Sequence, residues 1–262
     1  MQVDVFTSEP YRGNPVAVVL DGEGLSTEQM QRFANWTNLS ETTFVLPSET
    51  ADYRLRIFTP DQELPFAGHP TLGSCHAWLE SGGEAKDVIL QDCGAGIVPI
   101  RRGERLAFAA PPLIRSGPVD EADIRHAADV LNITRAEIVD ATWADNGPGW
   151  MAVLLRDADA VLALRPGFVD FDLGVVGRSD TGWELRALFP HNGATIEDPV
   201  TGSLNASVAG WLLETGRATA PYIAHQGTAI GRAGRIHVSQ DGDGTVWVGG
   251  GTVTCIRGTV DM

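Results

Sequence analysis

The chain has 262 residues, of which 43% are hydrophobic and 20% charged, so it can bury a sizeable core as one large domain or as two smaller ones. Its formal charge of −15 argues against nucleic-acid or polyphosphate binding, because the only adjacent basic pair is Arg101 and Arg102. The N-terminus lacks a secretory pattern and no stretch approaches the roughly 20 apolar residues of a membrane span, so we expect a cytoplasmic protein without membrane partners.

Short apolar or alternating runs predict a strand-rich first half. Each run is bounded by Gly, Pro, Ser or Asp, which is typical of strands separated by turns. The runs extend from Val3 to Phe6, from Val16 to Leu20, from Tyr53 to Phe58 and from Val88 to Leu90, and a further strand is predicted from Thr43 to Leu46.

Two helices are predicted among these strands. Ser26 and Gln29 match a capping box, and an apolar helical face follows, so the first helix is expected near residues 27 to 37. Proline suits the first turn of a helix, and glycine often follows the last. The second helix is therefore expected to begin at Pro70 and to end before Gly82.

The second half of the chain repeats the plan of the first. Arg56 and Arg186 each lie four residues before a proline, and P-x-x-G segments follow at Pro70 and Pro199. Each segment precedes a helix-forming stretch with a similar ending, WLESG or WLLETG. This order predicts an internal duplication, with two similar domains about a pseudo-twofold axis and the site in the cleft between them.

The domain boundary is expected where turn residues cluster, from Pro111 to Pro118. The N-terminal half then covers residues 1–112, together with a C-terminal strand at about 252–262. The C-terminal half covers residues 113–251. The final run, from Val246 to Val260, is expected to form strands that return to the first domain.

Cysteine and lysine usage excludes several kinds of chemistry. The three cysteines are an odd number without a CxxC pair, which disfavours a disulfide framework and a thiolate zinc site. Lys86 is the only lysine and lies in the polar turn GGEAKD. A Schiff-base lysine must be desolvated, so pyridoxal phosphate and aldolase-type reactions are disfavoured.

Three segments carry polar groups where strands should give way to helices, namely residues 38–44, 66–73 and 196–204. At a helix start, free backbone N–H groups and the positive end of the helix dipole favour a bound carboxylate. His69 and Asp198 each directly precede a proline, so the duplication predicts equivalent positions for them in one cleft.

Each of these side chains also has a simpler structural interpretation. Asp198 could cap a helix, His69 could be a satisfied turn histidine, and Glu41 could be a solvated loop carboxylate. Asn14 could be a turn residue, and Ser203 a cap or a small residue at a close contact.

Five segments in chain order resemble the signature segments of the PhzF-like phenazine-biosynthesis isomerase family. They are GNPVAVV at 13–19, NLSETTF at 38–44, RIFTP at 56–60, FAGHPTLG at 66–73 and EDPVTGS at 197–203. Weaker similarity covers NGPGWMAV at 146–153 and QGTAIGRAGRIHV at 226–238. The resemblance implies an α+β fold like that of diaminopimelate epimerase, with two pseudo-symmetric halves, each a curved mixed sheet or barrel around a central helix. It also implies a homodimer and a reaction that needs no metal or nucleotide.

The resemblance further implies a role for individual residues. Glu41 matches the proton-shuttling glutamate of the family, which removes a proton from an activated carbon of a small carboxylate substrate and returns it to another carbon. In the namesake enzymes that substrate is a dihydro-hydroxyanthranilate. The catalytic candidates are Glu41, His69 and Asp198, and the substrate-binding candidates are Asn14, Gly68, Gly73, Gly202 and Ser203.

Two other functions are left open by the residues. One is an amino-acid racemase or epimerase that pairs Glu41 with His69 or Asp198 instead of using two thiols. The other is a non-catalytic protein that retains the carboxylate site. A serine hydrolase is disfavoured because the sequence lacks a G-x-S-x-G segment, and a zinc enzyme because it lacks H-E-x-x-H or similar spacing.

Overall fold

In the computed structural model, which describes residues 1–261, ten successive elements occur in the same order twice. The first series is β1 (Gln2–Val5), β2 (Asn14–Val19), α1 (Thr27–Thr37), β3 (Glu41–Leu46), β4 (Tyr53–Phe58), β5 (Glu63–Leu64), α2 (Gly68–Glu80), β6 (Val88–Cys93), β7 (Gly96–Arg102) and β8 (Leu106–Ala109). After β9 (Arg115–Pro118) and α3 (Glu121–Leu131), the second series is β10 (Asp140–Asp145), β11 (Met151–Leu154), α4 (Ala158–Ala163), β12 (Leu173–Ser179), β13 (Gly182–His191), β14 (Ala194–Asp198), α5 (Gly202–Glu214), β15 (Tyr222–Gln226), β16 (Gly234–Gln240) and β17 (Val246–Gly250). The last strand is β18 (Thr252–Ile256).

Two compact units share these elements. Unit 1 comprises Met1–Ala109 and the C-terminal residues from Gly249, and unit 2 comprises Ala110–Val248. The repeated order of strands and helices confirms the predicted α+β fold of two pseudo-symmetric halves.

Unit 1 is a mixed sheet curved around helix α2. Its strands pair in the order β18, β1, β2, β3, β4, β6, β7 and β8, with β2–β3 and β4–β6 parallel and the other pairs antiparallel. Helix α2 contacts β18 at one end of this order and β8 at the other, as well as β1 to β4. Most of α2 is buried as a result, and its buried residues include the polar Thr71 and Ser74 as well as apolar ones such as Leu72.

Unit 2 repeats this pairing pattern. Strand β10 pairs antiparallel with β9 and β11, β11 parallel with β12, and β12 antiparallel with β13. Strand β13 then pairs antiparallel with β14 and parallel with β15, which is antiparallel to β16. A hydrophobic core in unit 2 packs α3 and α4 against β11 and β12. It contains Leu131, Val153 and Val175.

The first predicted helix is confirmed in detail. The Gln29 N–H donates to Ser26 Oγ at 3.3 Å and the Ser26 N–H donates to Gln29 Oε1 at 2.9 Å, which is the predicted capping box. Met30 and Ala34 are buried against Phe44 on β3. The strand predicted from Tyr53 to Phe58 also has the observed bounds.

The predicted start of the second helix is wrong. Helix α2 begins at Gly68, so Pro70 is its third residue. Proline fits there because the N–H groups of the first turn have no partner inside the helix, and the sequence rule therefore does not distinguish among first-turn positions. Helix α5 likewise begins at Gly202, three residues after Pro199.

None of the helices in residues 1–261 is long and apolar enough to cross a membrane.

Candidate functional site

Glu41 is the first residue of β3 rather than part of a loop ahead of it. It lies opposite Val16 of the parallel neighbour β2, and its side chain is 15% exposed. The interpretation of Glu41 as a solvated loop carboxylate is therefore excluded, because most of the side chain is withdrawn from water.

His69 is the second residue of α2 and faces Glu41. Its Nε2 lies 3.3 Å from Glu41 Oε2, and its side chain is 5% exposed. Burial lowers the pKa of His69 to about 3, although a hydrogen bond to the Pro15 backbone opposes this effect. The imidazole is therefore neutral at physiological pH.

Asn14 completes this group in unit 1. It is the first residue of β2, it is fully buried, and its Nδ2 lies 3.4 Å from His69 Nδ1. The turn before it is held by Asp4, whose Oδ2 accepts from the N–H groups of Arg12 and Gly13 at 2.8 and 3.0 Å. The structure thus brings three predicted site residues together, although Glu41 and His69 are 28 positions apart in the chain.

Gly68 and Gly73, both predicted to bind substrate, differ in their positions. Gly68 is the first residue of α2, where backbone N–H groups have no helical partner. Gly73 lies in the second turn, and a Cβ there would be 2.4 Å from Val16 Cγ1 and 3.0 Å from Val5 Cγ2. Gly73 therefore permits close packing of α2 on β1 and β2, and it is not at the helix mouth where the prediction placed it.

Asp198 is the last residue of β14 in unit 2 and is tethered by the start of α5. Its Oδ2 accepts a hydrogen bond from the hydroxyl of Thr201, the N-cap residue of α5. The main-chain carbonyl of Asp198 accepts from Gln226 Nε2 at 3.1 Å. Asp198 therefore lies four positions before Gly202 and is outside helix α5.

Three buried polar residues near Asp198 were missed by the sequence analysis. Gln226 Oε1 accepts from the Thr201 N–H at 3.0 Å and from Asn205 Nδ2 at 2.8 Å. Gln226 Nε2 also donates to Thr201 Oγ1 at 2.8 Å. These bonds fix the start of α5 and the carboxyl of Asp198. A signal was present, since Gln226 begins one of the weaker matching segments, but that segment did not indicate a role.

Ser203 is the second residue of α5 and is held by two side chains that sequence reasoning also missed. Trp150 Nε1 donates to Ser203 Oγ at 3.0 Å, and Asn146 Nδ2 donates to the Ser203 carbonyl at 3.0 Å. Both partners lie in the weakly matching segment 146–153. Gly202 begins the helix directly before Ser203.

The predicted equivalence of His69 and Asp198 is wrong. Arg56 pairs with Glu63 seven positions later, whereas Arg186 pairs with Glu197 eleven positions later, so the hairpin is longer in unit 2. Both helices then begin at a glycine five positions after the glutamate. His69 and Ser203 are the residues that share a position, each being second in a helix of 13 residues.

The cysteines are poorly suited to acid–base chemistry. Cys75 is fully buried inside α2, and burial raises the pKa of its thiol to about 12. Burial also raises the pKa of Cys93 on β6. Cys255 lies partly exposed on β18. Within residues 1–261, no group of three or more His, Cys, Asp or Glu side chains could hold a metal ion.

A family model described as "Phenazine biosynthesis-like protein" (PhzC-PhzF) matches residues 3–258. The chain belongs to the PhzC-PhzF family. A crystal structure of a PhzF family protein from Bacillus anthracis resembles this family member with a TM-score of 0.83 and 26% identity, and the match covers 96% of this chain and 95% of that one. The predicted diaminopimelate epimerase-like fold is thereby confirmed.

Two curated relatives match the PhzC-PhzF chain over most of its length. Antisense-enhancing sequence 1 of Schizosaccharomyces pombe is 36% identical, and the match covers 98% of this chain and 96% of that protein. Trans-2,3-dihydro-3-hydroxyanthranilate isomerase of Pseudomonas aeruginosa is also 36% identical, with 92% and 90% covered.

Proposed function

We propose that this protein is an isomerase that moves a proton within a small cyclic carboxylate, such as a dihydro-hydroxyanthranilate, with Glu41 as the proton-carrying group. Family membership and the name of the Pseudomonas aeruginosa relative support the reaction class. The observation that carries the proposal is the approach of the Glu41 carboxyl to 3.3 Å from a buried, neutral imidazole.

The neutral state of His69 suits this role. A cationic neighbour would hold a carboxyl in its ionised form, whereas a neutral imidazole imposes no such charge on Glu41. Proline has no N–H, so the hydrogen bond between His69 and the Pro15 backbone uses the single N–H of the neutral ring as donor. The imidazole therefore packs against the Glu41 carboxyl without charging it. Glu41 takes a proton from one substrate carbon and returns it to another.

The proposed substrate-binding role of Ser203 follows from its partner. An indole N–H is a donor only, so Ser203 Oγ accepts from Trp150, and the hydroxyl hydrogen is left to donate elsewhere. A substrate carboxylate is a suitable acceptor, and the backbone N–H groups at the start of α5 favour the same negative charge. Asp198, fixed through Thr201, is proposed to bind an amino or hydroxyl group of the substrate.

The proposed reaction uses no metal or nucleotide, because an activated carbon acid needs only a base that can return the proton. Turnover should therefore be unchanged by a chelator. A homodimer in the cytoplasm remains a prediction from the family resemblance, and sedimentation equilibrium would measure the oligomeric state.

The test is proton NMR in deuterated buffer with a panel of cyclic amino and hydroxy carboxylates that includes trans-2,3-dihydro-3-hydroxyanthranilate. We expect double-bond migration and deuterium entry with the wild-type protein and with Glu49→Gln, an exposed control in unit 1. Glu41→Gln should fold normally and abolish both signals. Full activity of Glu41→Gln would refute the shuttle assignment.

The same experiment separates the two competing functions. Exchange of an α-hydrogen with inversion of configuration, without double-bond migration, would identify a racemase or epimerase. Ligand binding that is equal in wild type and Glu41→Gln, with no exchange in either, would identify a non-catalytic binding protein.

A further inference from the structure

Strand register identifies a residue in unit 2 that occupies the position of Glu41. In unit 1, Phe58 lies two positions after Arg56 and pairs with Thr42, the residue after Glu41. In unit 2, Leu188 lies two positions after Arg186 and pairs with Leu173, the residue after Asp172. The two arginines are themselves equivalent, because each pairs with the glutamate that lies five positions before the helix start.

The neighbouring parallel strands lead to the same equivalence. Thr42 lies opposite Ala17 on β2, and Leu173 lies opposite Met151 on β11. The turn before each of these strands is clamped by an aspartate. Asp4 accepts from two backbone N–H groups before β2, and Asp145 accepts from those of Gly147 and Gly149 before β11, at 2.7 and 2.8 Å.

Strand alternation puts the side chain of Asp172 on the side of the sheet that packs on helix α5. Successive residues of an extended strand point to opposite faces, so Asp172 shares a face with Gly174. A Cβ on Gly174 would be 2.5 Å from Leu204, the third residue of α5. Asp172 directly precedes β12, and its carbonyl accepts from the Met151 N–H at 3.0 Å, so the pairing with β11 continues to it. Alternation therefore puts Asp172 on the sheet face that Leu204, in the first turn of α5, contacts at Gly174.

In unit 1 the corresponding strand face also packs on the central helix, although the contact at Thr43 lies one helical turn further along α2. Thr43, which corresponds to Gly174, is 2.8 Å from Ser74 on α2 through the two hydroxyl oxygens. Glu41, two positions earlier on the same face, reaches His69 in the first turn of α2.

We propose that Asp172 is a substrate-contacting residue, the counterpart of Glu41 in unit 2, and that its carboxyl binds the substrate as a hydrogen-bond donor. This inference rests on the proposed function and adds a second carboxyl to it. In its neutral form Asp172 donates a hydrogen bond to an oxygen of the substrate, where negative charge develops once a carbon-bound proton has been removed.

The surroundings of Asp172 favour the neutral form. Burial, and secondarily the Asp145 carboxylate, raise the pKa of Asp172 to about 6, and an anionic substrate would favour the protonated form further. Asp145 is the charged group that faces it from the β10–β11 turn. The adjacent β11 has the sequence MAVL, and α5 carries no charged residue before Glu214, so neither presents another charge.

The test compares Asp172→Asn, Asp172→Ala and a control, Asp170→Asn, in the full chain. Asp170 lies two positions earlier, is exposed and pairs with His126. We expect Asp172→Ala to lower kcat/KM about 10- to 100-fold, the range for losing a hydrogen bond to a charged group. The amide of Asn donates a hydrogen bond at every pH, whereas the wild-type carboxyl loses its proton as the pH rises through the pKa of Asp172. The ratio of Asp172→Asn kcat/KM to wild-type kcat/KM should therefore rise between about pH 5 and 8. Asp170→Asn should follow wild type.

Two kinetic results would overturn the inference. The first is a kcat/KM of Asp172→Ala within about twofold of the wild-type value, because losing a hydrogen bond to a charged group requires a larger decrease. The second is a ratio of Asp172→Asn kcat/KM to wild-type kcat/KM that does not change with pH. Binding of 3-hydroxyanthranilate, an aromatic analogue that cannot isomerise, provides a readout that does not need turnover. Weaker binding to Asp172→Ala than to wild type supports the contact, and equal binding refutes it. Retained turnover in Glu41→Gln would refute the proposed function instead, so the two failures are distinguishable.

Discussion

The duplication supplies an internal comparison between a buried and an exposed copy of one ion pair. Arg186 Nη2 lies 2.7 Å from Glu197 Oε2, and the side chains are 7% and 8% exposed. Arg56 Nη2 lies 2.6 Å from Glu63 Oε2, but those side chains are 19% and 39% exposed. The perturbation is Glu197→Gln, with Glu63→Gln as the matched control in unit 1.

The expected costs differ because only one arginine is left charged in a dry environment. Removing one partner of a buried pair costs about 3–5 kcal/mol of unfolding free energy. The Gln oxygen and the carbonyls of Val161 and Leu164, 3.3 and 3.1 Å from Arg186 Nη1, can still accept hydrogen bonds. We therefore expect Glu197→Gln to cost about 3 kcal/mol, the lower end of that range. Solvent screens the exposed pair, so Glu63→Gln should cost about 0–1 kcal/mol.

Urea denaturation followed by circular dichroism would measure both variants against wild type. A shift in midpoint without a change in slope reports a change in stability. Equal costs for the two substitutions, or a cost below about 1 kcal/mol for Glu197→Gln, would refute the claim that burial separates the two pairs. Because Glu197 directly precedes Asp198, we also expect Glu197→Gln to weaken substrate binding more than Glu63→Gln does.

Two further predictions concern individual side chains, first at the proposed site and then among the cysteines. Trp150→Phe removes the hydrogen bond to Ser203 and should raise KM about two- to tenfold, the equivalent of one neutral hydrogen bond. In a Ser203→Ala background the same substitution should have no further effect on KM. Additive effects of the two substitutions in steady-state kinetics would contradict the proposed positioning of Ser203 by Trp150. Iodoacetamide should label only Cys255 in the native protein, because burial keeps the other two thiols protonated and inaccessible. Peptide mass spectrometry would locate the label, and labelling at Cys75 would contradict the burial of that thiol.

Much of the fold was predictable because its signals are local. The capping box before α1 involves residues three positions apart, and the pattern from Tyr53 to Phe58 lies within one strand. Matching segments also indicated the duplication and the family. By contrast, the start of α2 was misplaced because proline is compatible with several first-turn positions.

The candidate site was only partly predictable. The sequence analysis paired His69 with Asp198 because each precedes a proline. The hairpin of unit 2 is longer, however, and position within the two helices instead relates His69 to Ser203. Asp172 was not predicted as a site residue, because nothing in the segment FVDFDL distinguishes it from a surface aspartate.

The sequence by itself therefore determined the helix caps, the strand runs, the repeated plan and the family, because these depend on residues close together in the chain or on ordered motifs. Only the tertiary structure decided which side chains meet. It placed Glu41 3.3 Å from His69 and joined Trp150 to Ser203, 53 positions away. The physical reason is that such contacts depend on strand register and helix packing, which bring distant residues together. Burial sets the protonation state of His69, and a residue is buried only once those elements have packed.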